Sequence, residues 1–415
     1  MRALALLVLA LAAGCRHYEP RPVDWTAELS RTATNRVSIA SPDAAELIAL
    51  MGNPDLNRLR LKAANSGKAA RETGWWDDPE LDVDLLRIVN PDEYPWLCGA
   101  SLAFTLPLSG VPGLEERAAA HYAAADAEAI RAAERDVGVD VRKSVVRIAA
   151  LREKVSLLRR YQDDEAISNA FARAARLEAA GEVAPAELSA ARRRRHERLH
   201  ACRTAERELV AEESGLLQLL GLRPGTGVEL APGDPHADHA VRDVRTNPLA
   251  VTQHPRVKEA LLRLDGSEAA LQAEIRRQYP DLKLGPAYSF EDGLDRFGLV
   301  AGLSLPLWNR NRKGIATAEG ERDERRLEAI EVWRSLAHAE AAAAVCLANL
   351  LDHPLPPPTG RASAERLYAA GELGPLDYLA VRDEIVNQEI AEAEWRMEVC
   401  LAYEELKRYE VKEGK

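Results

Sequence analysis

From Trp96 to Leu106 the apolar residues fall on every second position. Trp96, Cys98, Ala100, Leu102, Phe104 and Leu106 alternate with positions that include Gly99, Ser101, Ala103 and Thr105. A period of two predicts a β-strand with one greasy face and one small or polar face. Glu80–Leu85 alternates in the same way. So does the later stretch in which Phe297, Leu299, Ala301, Leu303 and Leu305 are separated by Gly298, Val300, Gly302 and Ser304. Strands are expected near 80–89, 96–107, 281–290 and 297–307, paired through turns around Asn90–Tyr94 and Glu291–Asp295. The alternation alone suits a half-buried soluble sheet and the wall of a membrane barrel equally well.

Elsewhere the period is helical. Long Ala/Leu/Arg/Glu tracts cover roughly 113–220 and 314–411, and shorter helices are expected at about 55–74 and 256–277. Leu199, Cys202, Leu209 and Leu216 are spaced 3, 7 and 7, as along a coiled-coil seam. Gly181 and Gly371, each followed by a proline four residues on, punctuate the tracts and predict helix-hairpin turns. A continuous helix from 114 to 180 would reach about 100 Å.

The chain repeats itself. Asn53-Pro54-Asp55-Leu56 returns as His254-Pro255-Arg256-Val257, 201 positions later (255 − 54), and Pro79–Val83 returns as Pro280–Leu284 at the same offset. SLAFTLPL (101–108) returns as VAGLSLPL (300–307), and RLEAAGEVAP (176–185) as RLYAAGELGP (366–375). Four landmarks in one order indicate a tandem duplication. The expected organisation is a segment to be removed at 1–14, a tail at 15–45, a first copy at 46–220, a linker at 221–246 and a second copy at 247–411. The class is mainly α with a small β part: long coiled-coil helical hairpins in two repeats, with four strands per chain.

Composition narrows the function. The 415 residues carry a formal net charge of −11 with 29% charged and 5% aromatic residues, which fits neither a nucleic-acid binder nor a disordered chain. Five cysteines without a C-x-x-C pair support neither a disulfide framework nor a zinc knuckle. At the N-terminus Arg2 precedes an apolar run from Ala3 to Ala13, which is too short for a mature span and reads as an export signal. Ala12, Ala13 and Gly14 before Cys15 resemble a bacterial lipobox, so Cys15 is the candidate lipidation site; ordinary cleavage after Ala12 is the alternative.

The duplicated strand-pair-plus-long-helix unit, the G-x-x-LPL strand ending and R-L-x-x-A-G-E-[VL]-x-P at the hairpins resemble the TolC family of outer-membrane efflux ducts. Asn53–Leu56 and Trp76–Leu81 are similar to the openings of its shorter, lipoprotein, heavy-metal-efflux (CzcC-like) branch. The resemblance implies a homotrimer whose twelve strands close a barrel in the outer membrane of a Gram-negative bacterium. It also implies a helical periplasmic tunnel meeting an adaptor and an inner-membrane pump, with no catalysis and no cofactor. The tips would dock the adaptor through Arg176, Leu177, Gly181, Val183 and Pro185 in one copy, and through Arg366, Leu367, Gly371, Leu373 and Pro375 in the other. Asp377, with its sister Glu187, is the candidate acidic gate ring. The spans depart from symmetry. Pro107 to Gly181 is 74 residues (181 − 107) and Pro306 to Gly371 is 65 (371 − 306), with the shortfall near DHPLPPPTG at 352–360.

Three rivals remain. His196, Glu197 and His200 match H-E-x-x-H, in which two histidines one turn apart bind zinc beside a glutamate base. No third ligand follows at protease spacing, and Val386 and Ile390 stand at the matching positions of the second copy, so the match is expected to be accidental. DPHADH (234–239) offers a metal-binding loop or a solvated turn. A periplasmic coiled-coil lipoprotein would share the helices and the lipid but would need no strands of membrane type.

Overall fold

The computed structural model describes residues 18–31, 36–87, 89, 96–230, 250–291, 293–303 and 308–410. Helix α1 (Trp25–Arg31) and strand β1 (Arg36–Ile39) lead into α2 (Pro42–Gly52) and α3 (Pro54–Arg71). Strands β2 (Glu80–Arg87) and β3 (Trp96–Leu106) come next. A first hairpin follows, made of α4 (Val111–Asp163), α5 (Glu165–Ala179) and α6 (Pro185–Leu219). After β4 (Gly227–Leu230) and a 3-10 turn at Ala250–Gln253, the plan repeats as α7 (Pro255–Arg276), β5 (Leu282–Glu291) and β6 (Leu294–Leu303). The second hairpin is α8 (Arg312–Asp352), α9 (Arg361–Ala369) and α10 (Pro375–Lys407).

The four strands expected from the alternation form one antiparallel sheet in the order β2-β3-β5-β6. Directly opposed residues share a face, and the register sorts most positions by polarity, although Asp295 stands opposite Phe290 on the apolar side and Leu86 opposite Leu97 on the polar side. Leu81 pairs with Leu102, Val83 with Ala100, Cys98 with Phe290, Tyr288 with Phe297 and Leu282 with Leu303 on one side. The other side carries Asp82 opposite Ser101, Asp84 opposite Gly99, Lys283 opposite Gly302 and Ser289 opposite Arg296. Leu85 is 65% and Phe297 84% exposed, so the apolar side of a single copy lies open. The turn expected around Asn90–Tyr94 and the end of the fourth strand at 304–307 lie outside the described residues. At the other turn the connection is tight, with Gly293 at φ 75° between strands.

Two expectations need correction. The tail and the linker are not plain connections, because β1 from one and β4 from the other pair in parallel, Val37 beside Val228 and Ile39 beside Leu230. Arg36 meets Glu229 at 2.9 Å, and Ile39 is buried with Ala45, Ala49, Val141, Ile148 and Leu216. DPHADH lies outside the described residues. The first hairpin is also broken. Asp164 leaves the helical region (φ −69°, ψ 113°) and its carboxylate caps α5 by accepting from the Ala166 N–H at 2.9 Å. In the second hairpin the break spans 353–360, where prolines deny the backbone N–H groups a helix needs. Both hairpins are therefore interrupted above the tip, and α9 is shorter than α5.

The helices pack through small residues, as the low aromatic content requires. Ala118, Ala125 and Ala132 of α4 are buried, as are Gly266, Ala269 and Ala273 of α7. A Cβ on Gly266 would stand 2.8 Å from the Tyr122 ring. Cys202 and Leu216 of the expected seam are buried, while Leu199 and Leu209 are half-buried. At 53 residues, α4 is about 80 Å long. No helix among the described residues is long and apolar enough to cross a membrane.

Candidate gate and docking tips

Each hairpin turns on the same backbone device. Gly181 (φ 79°) donates to Glu178 and Glu182 donates to the Leu177 carbonyl at 2.9 Å; Gly371 (φ 76°) donates to Tyr368 and Glu372 to the Leu367 carbonyl at 3.0 Å. This is the paired helix ending in which only glycine accepts the left-handed backbone without strain. Pro185 and Pro375 then open the return helices, where a missing N–H costs nothing. Arg176, Gly181, Arg366, Leu367 and Gly371 are exposed, Leu177, Val183 and Leu373 half-buried, and Pro375 buried. Glu187 and Asp377 lie exposed in the first turns of α6 and α10.

Above the tips the two hairpins are tied by charge. Arg382 of α10 is 1% exposed. It donates to Asp164 at 2.6 Å and to Glu365 of α9 at 2.5 Å, so the acid that caps α5 also holds α10. Nearby, Arg198 of α6 donates to both oxygens of Asp383 at 2.7 and 3.3 Å. The hydrogen bond to Asp383 pushes Arg198 above the usual guanidinium range. Around these pairs Leu158, Tyr161, Ile167, Cys202, Tyr378 and Val386 form a buried cluster, and the rings of Tyr368 and Tyr378 stack 4.2 Å apart. Burial pushes the Tyr161 hydroxyl up to about 12 and raises that of Tyr378.

The sequence pattern had singled out the turns but not this latch. Arg382 sits between apolar positions on a packed helix, and Asp164 before an acidic first turn has the form of a helix cap; both are local signals. That they meet across 218 residues (382 − 164) is a tertiary fact. His196, Glu197 and His200 are exposed on α6, and among the described residues no group of three or more His, Cys, Asp or Glu side chains is placed to hold a metal.

No protein-family model matches the chain, and no curated protein matches it. Solved structures do. A membrane protein from Pseudomonas aeruginosa superposes with a TM-score of 0.71 at 19% identity, over 95% of this chain and 99% of that one. CusC, described for folding and transmembrane channel formation, gives 0.69 at 16% identity, over 94% and 97%. The open outer-membrane channel MtrE of Neisseria gonorrhoeae gives 0.70 at 16% identity, over 89% and 88%. The fold is that of the outer-membrane channels. It is also the fold that the TolC resemblance implied. The matches span almost the full length of both chains.

Proposed function

We propose that the chain is one of three identical subunits of a TolC-family duct. The duct conducts substrate passively across the outer membrane from an inner-membrane pump and a periplasmic adaptor. The observation that carries this is the two-faced sheet with both edges open. β2 and β6 have no partner strand among the described residues, and the apolar face is uncovered. β3, β5 and β6, at 11, 10 and 10 residues, have the length that spans a bilayer when tilted. An open edge inside lipid would leave backbone groups unpaired, so the sheet must close on others. Three copies supply twelve strands, lipid outside and water inside.

In this account Cys15 carries the lipid anchor and the Gly181 and Gly371 turns form the adaptor-docking tips. Asp377 and Glu187 place carboxylates at the mouth, where three copies would make a cation-attracting ring. The Arg382–Asp164 latch holds the two hairpins of each copy together above that mouth. The test is extraction: the protein should require detergent, run as a heat-modifiable band and have the mass of a trimer. A monomer released from membranes by salt alone would contradict the proposal.

A further inference from the structure

The second hairpin is interrupted by a run that has no counterpart in the first. Between the end of α8 at Asp352 and the start of α9 at Arg361 the chain reads HPLPPPTG, and four of the five residues 354–358 are proline. Breaking a helix needs far less. The first hairpin does it at Asp164, and a single interior proline kinks or breaks a helix by itself. Nor does the run fill the space between helices. Pro354, Leu355, Pro356, Pro357 and Thr359 are exposed, with Leu355 at 43%, and only Pro358 is half-buried. The chain on either side is fastened to α10 instead. Trp395 donates through Nε1–H to the Leu350 carbonyl at 3.2 Å, and Arg361 meets Glu389 at 3.6 Å.

The backbone of this run is preset. Proline fixes φ near about −65° and holds the residue before it in the extended region. Leu355, Pro356 and Pro357 each precede a proline, so the run is committed to polyproline II geometry before any partner arrives. Its four prolines have no N–H, so no helix or sheet ladder can take it up as a regular member, while every carbonyl remains an acceptor. Among the described residues no backbone hydrogen bond reaches 354–359. No charged side chain lies between His353 and Gly360, in a chain that is 29% charged. Three residues per turn put Pro354 and Pro357 on one edge, and both are exposed.

We propose that residues 354–358 are a docking motif for a second protein whose groove is lined with aromatic rings. Pro354 and Pro357 seat between the rings, and an indole N–H or a tyrosine hydroxyl of the groove donates to the free carbonyls. The chemistry of the run selects this occupant. Aromatic faces pack on proline without needing a charge, the carbonyls ask for donors only, and a preformed ridge loses little entropy on binding. A helix would find no stripe of helical period to pack on. The motif adds a partner beyond the duct reading, and it stands on the surface of a single copy.

The experiment uses the full-length protein in its native host, with Thr359 replaced by the photoreactive residue benzoylphenylalanine. Irradiated cells should give an adduct with a different protein, cross-linked beside aromatic residues of that protein. In detergent extracts the synthetic peptide HPLPPPTG should abolish the adduct, and the same peptide with alanine at each proline should not. Pro354→Ala combined with Pro357→Ala keeps Pro356 and Pro358 to stop the helix. It should lower the adduct yield about tenfold, as loss of buried anchors does, at unchanged assembly mass. No adduct, or an adduct only with another copy of this chain, would overturn the proposal. So would an adduct that survives the peptide or joins a groove without aromatic residues. Each of these results leaves the assembly mass and conductance untouched, so the motif and the duct reading fail separately.

Discussion

Asn53 and His254 hold the same place in the two halves of the molecule and do the same two things with different chemistry. Asn53 accepts from the N–H groups of Asp55 and Leu56, capping α3, while its amide donates to the Leu219 carbonyl at the end of α6 at 2.9 Å. His254 accepts through Nδ1 from the Arg256 N–H, capping α7, and its Nε2–H donates to the Arg408 carbonyl at the end of α10 at 3.1 Å. Each residue thus pins the start of a short helix to the end of its own copy's hairpin.

The histidine makes the second pin pH-dependent. His254 is 2% exposed, and burial lowers its pKa from 6.5 to about 4. The unfolded chain takes up the proton first, so stability is complete above about pH 6.5 and falls as the pH drops towards 4. The slope reaches at most about 1.4 kcal/mol per pH unit. Thermal midpoints of the detergent-solubilised protein at pH 7 and pH 5 should show this loss. His254→Asn, which restores the first copy's cap, should shrink it; an undiminished pH effect in the variant would assign the loss to other groups.

Removing the latch should loosen the mouth. Arg382→Ala leaves Asp164 and Glu365 without their cation and should cost about 2 kcal/mol, in the range of a charged hydrogen bond. Single-channel recording should show a higher mean conductance than wild type. An unchanged conductance alongside a lower thermal midpoint would make the latch purely structural.

Much of this was legible in the chain. Alternation located the strands, and the register confirmed which residues share a face, because a period of two leaves no freedom once pairing starts. Gly181 and Gly371 announced the turns, because a left-handed helix ending needs glycine. The parallel β1–β4 pair was hidden, since four-residue strands lie at the lower limit of the length at which alternation can be seen and their partner is remote in sequence. The Asp164 break was hidden too, because it contains no proline or glycine and its cap acts through one side chain.

The tips should tolerate no bulk. Gly181→Val and Gly371→Val each force a β-branched residue into a left-handed backbone, at roughly 1–2 kcal/mol per site. Trimers should still form while efflux-dependent resistance is lost. Full resistance in the double variant would remove the docking assignment.

Asp377→Ala should lower cation preference without changing assembly, because the side chain is exposed in the first turn of α10. Reversal potentials in a salt gradient measure this, and an unshifted potential would exclude the acidic ring. Cys15→Ala should reduce labelling by a radiolabelled fatty acid to background; persistent label would put the acyl group elsewhere.

The central claim is that copies of this chain close a water-filled pore. Detergent-extracted protein of trimeric mass, added to a planar lipid bilayer, should produce discrete, uniform conductance steps that need no energy source. A trimeric protein that inserts into the bilayer and leaves it electrically silent under every voltage and salt condition, with Arg382→Ala equally silent, would contradict the claim.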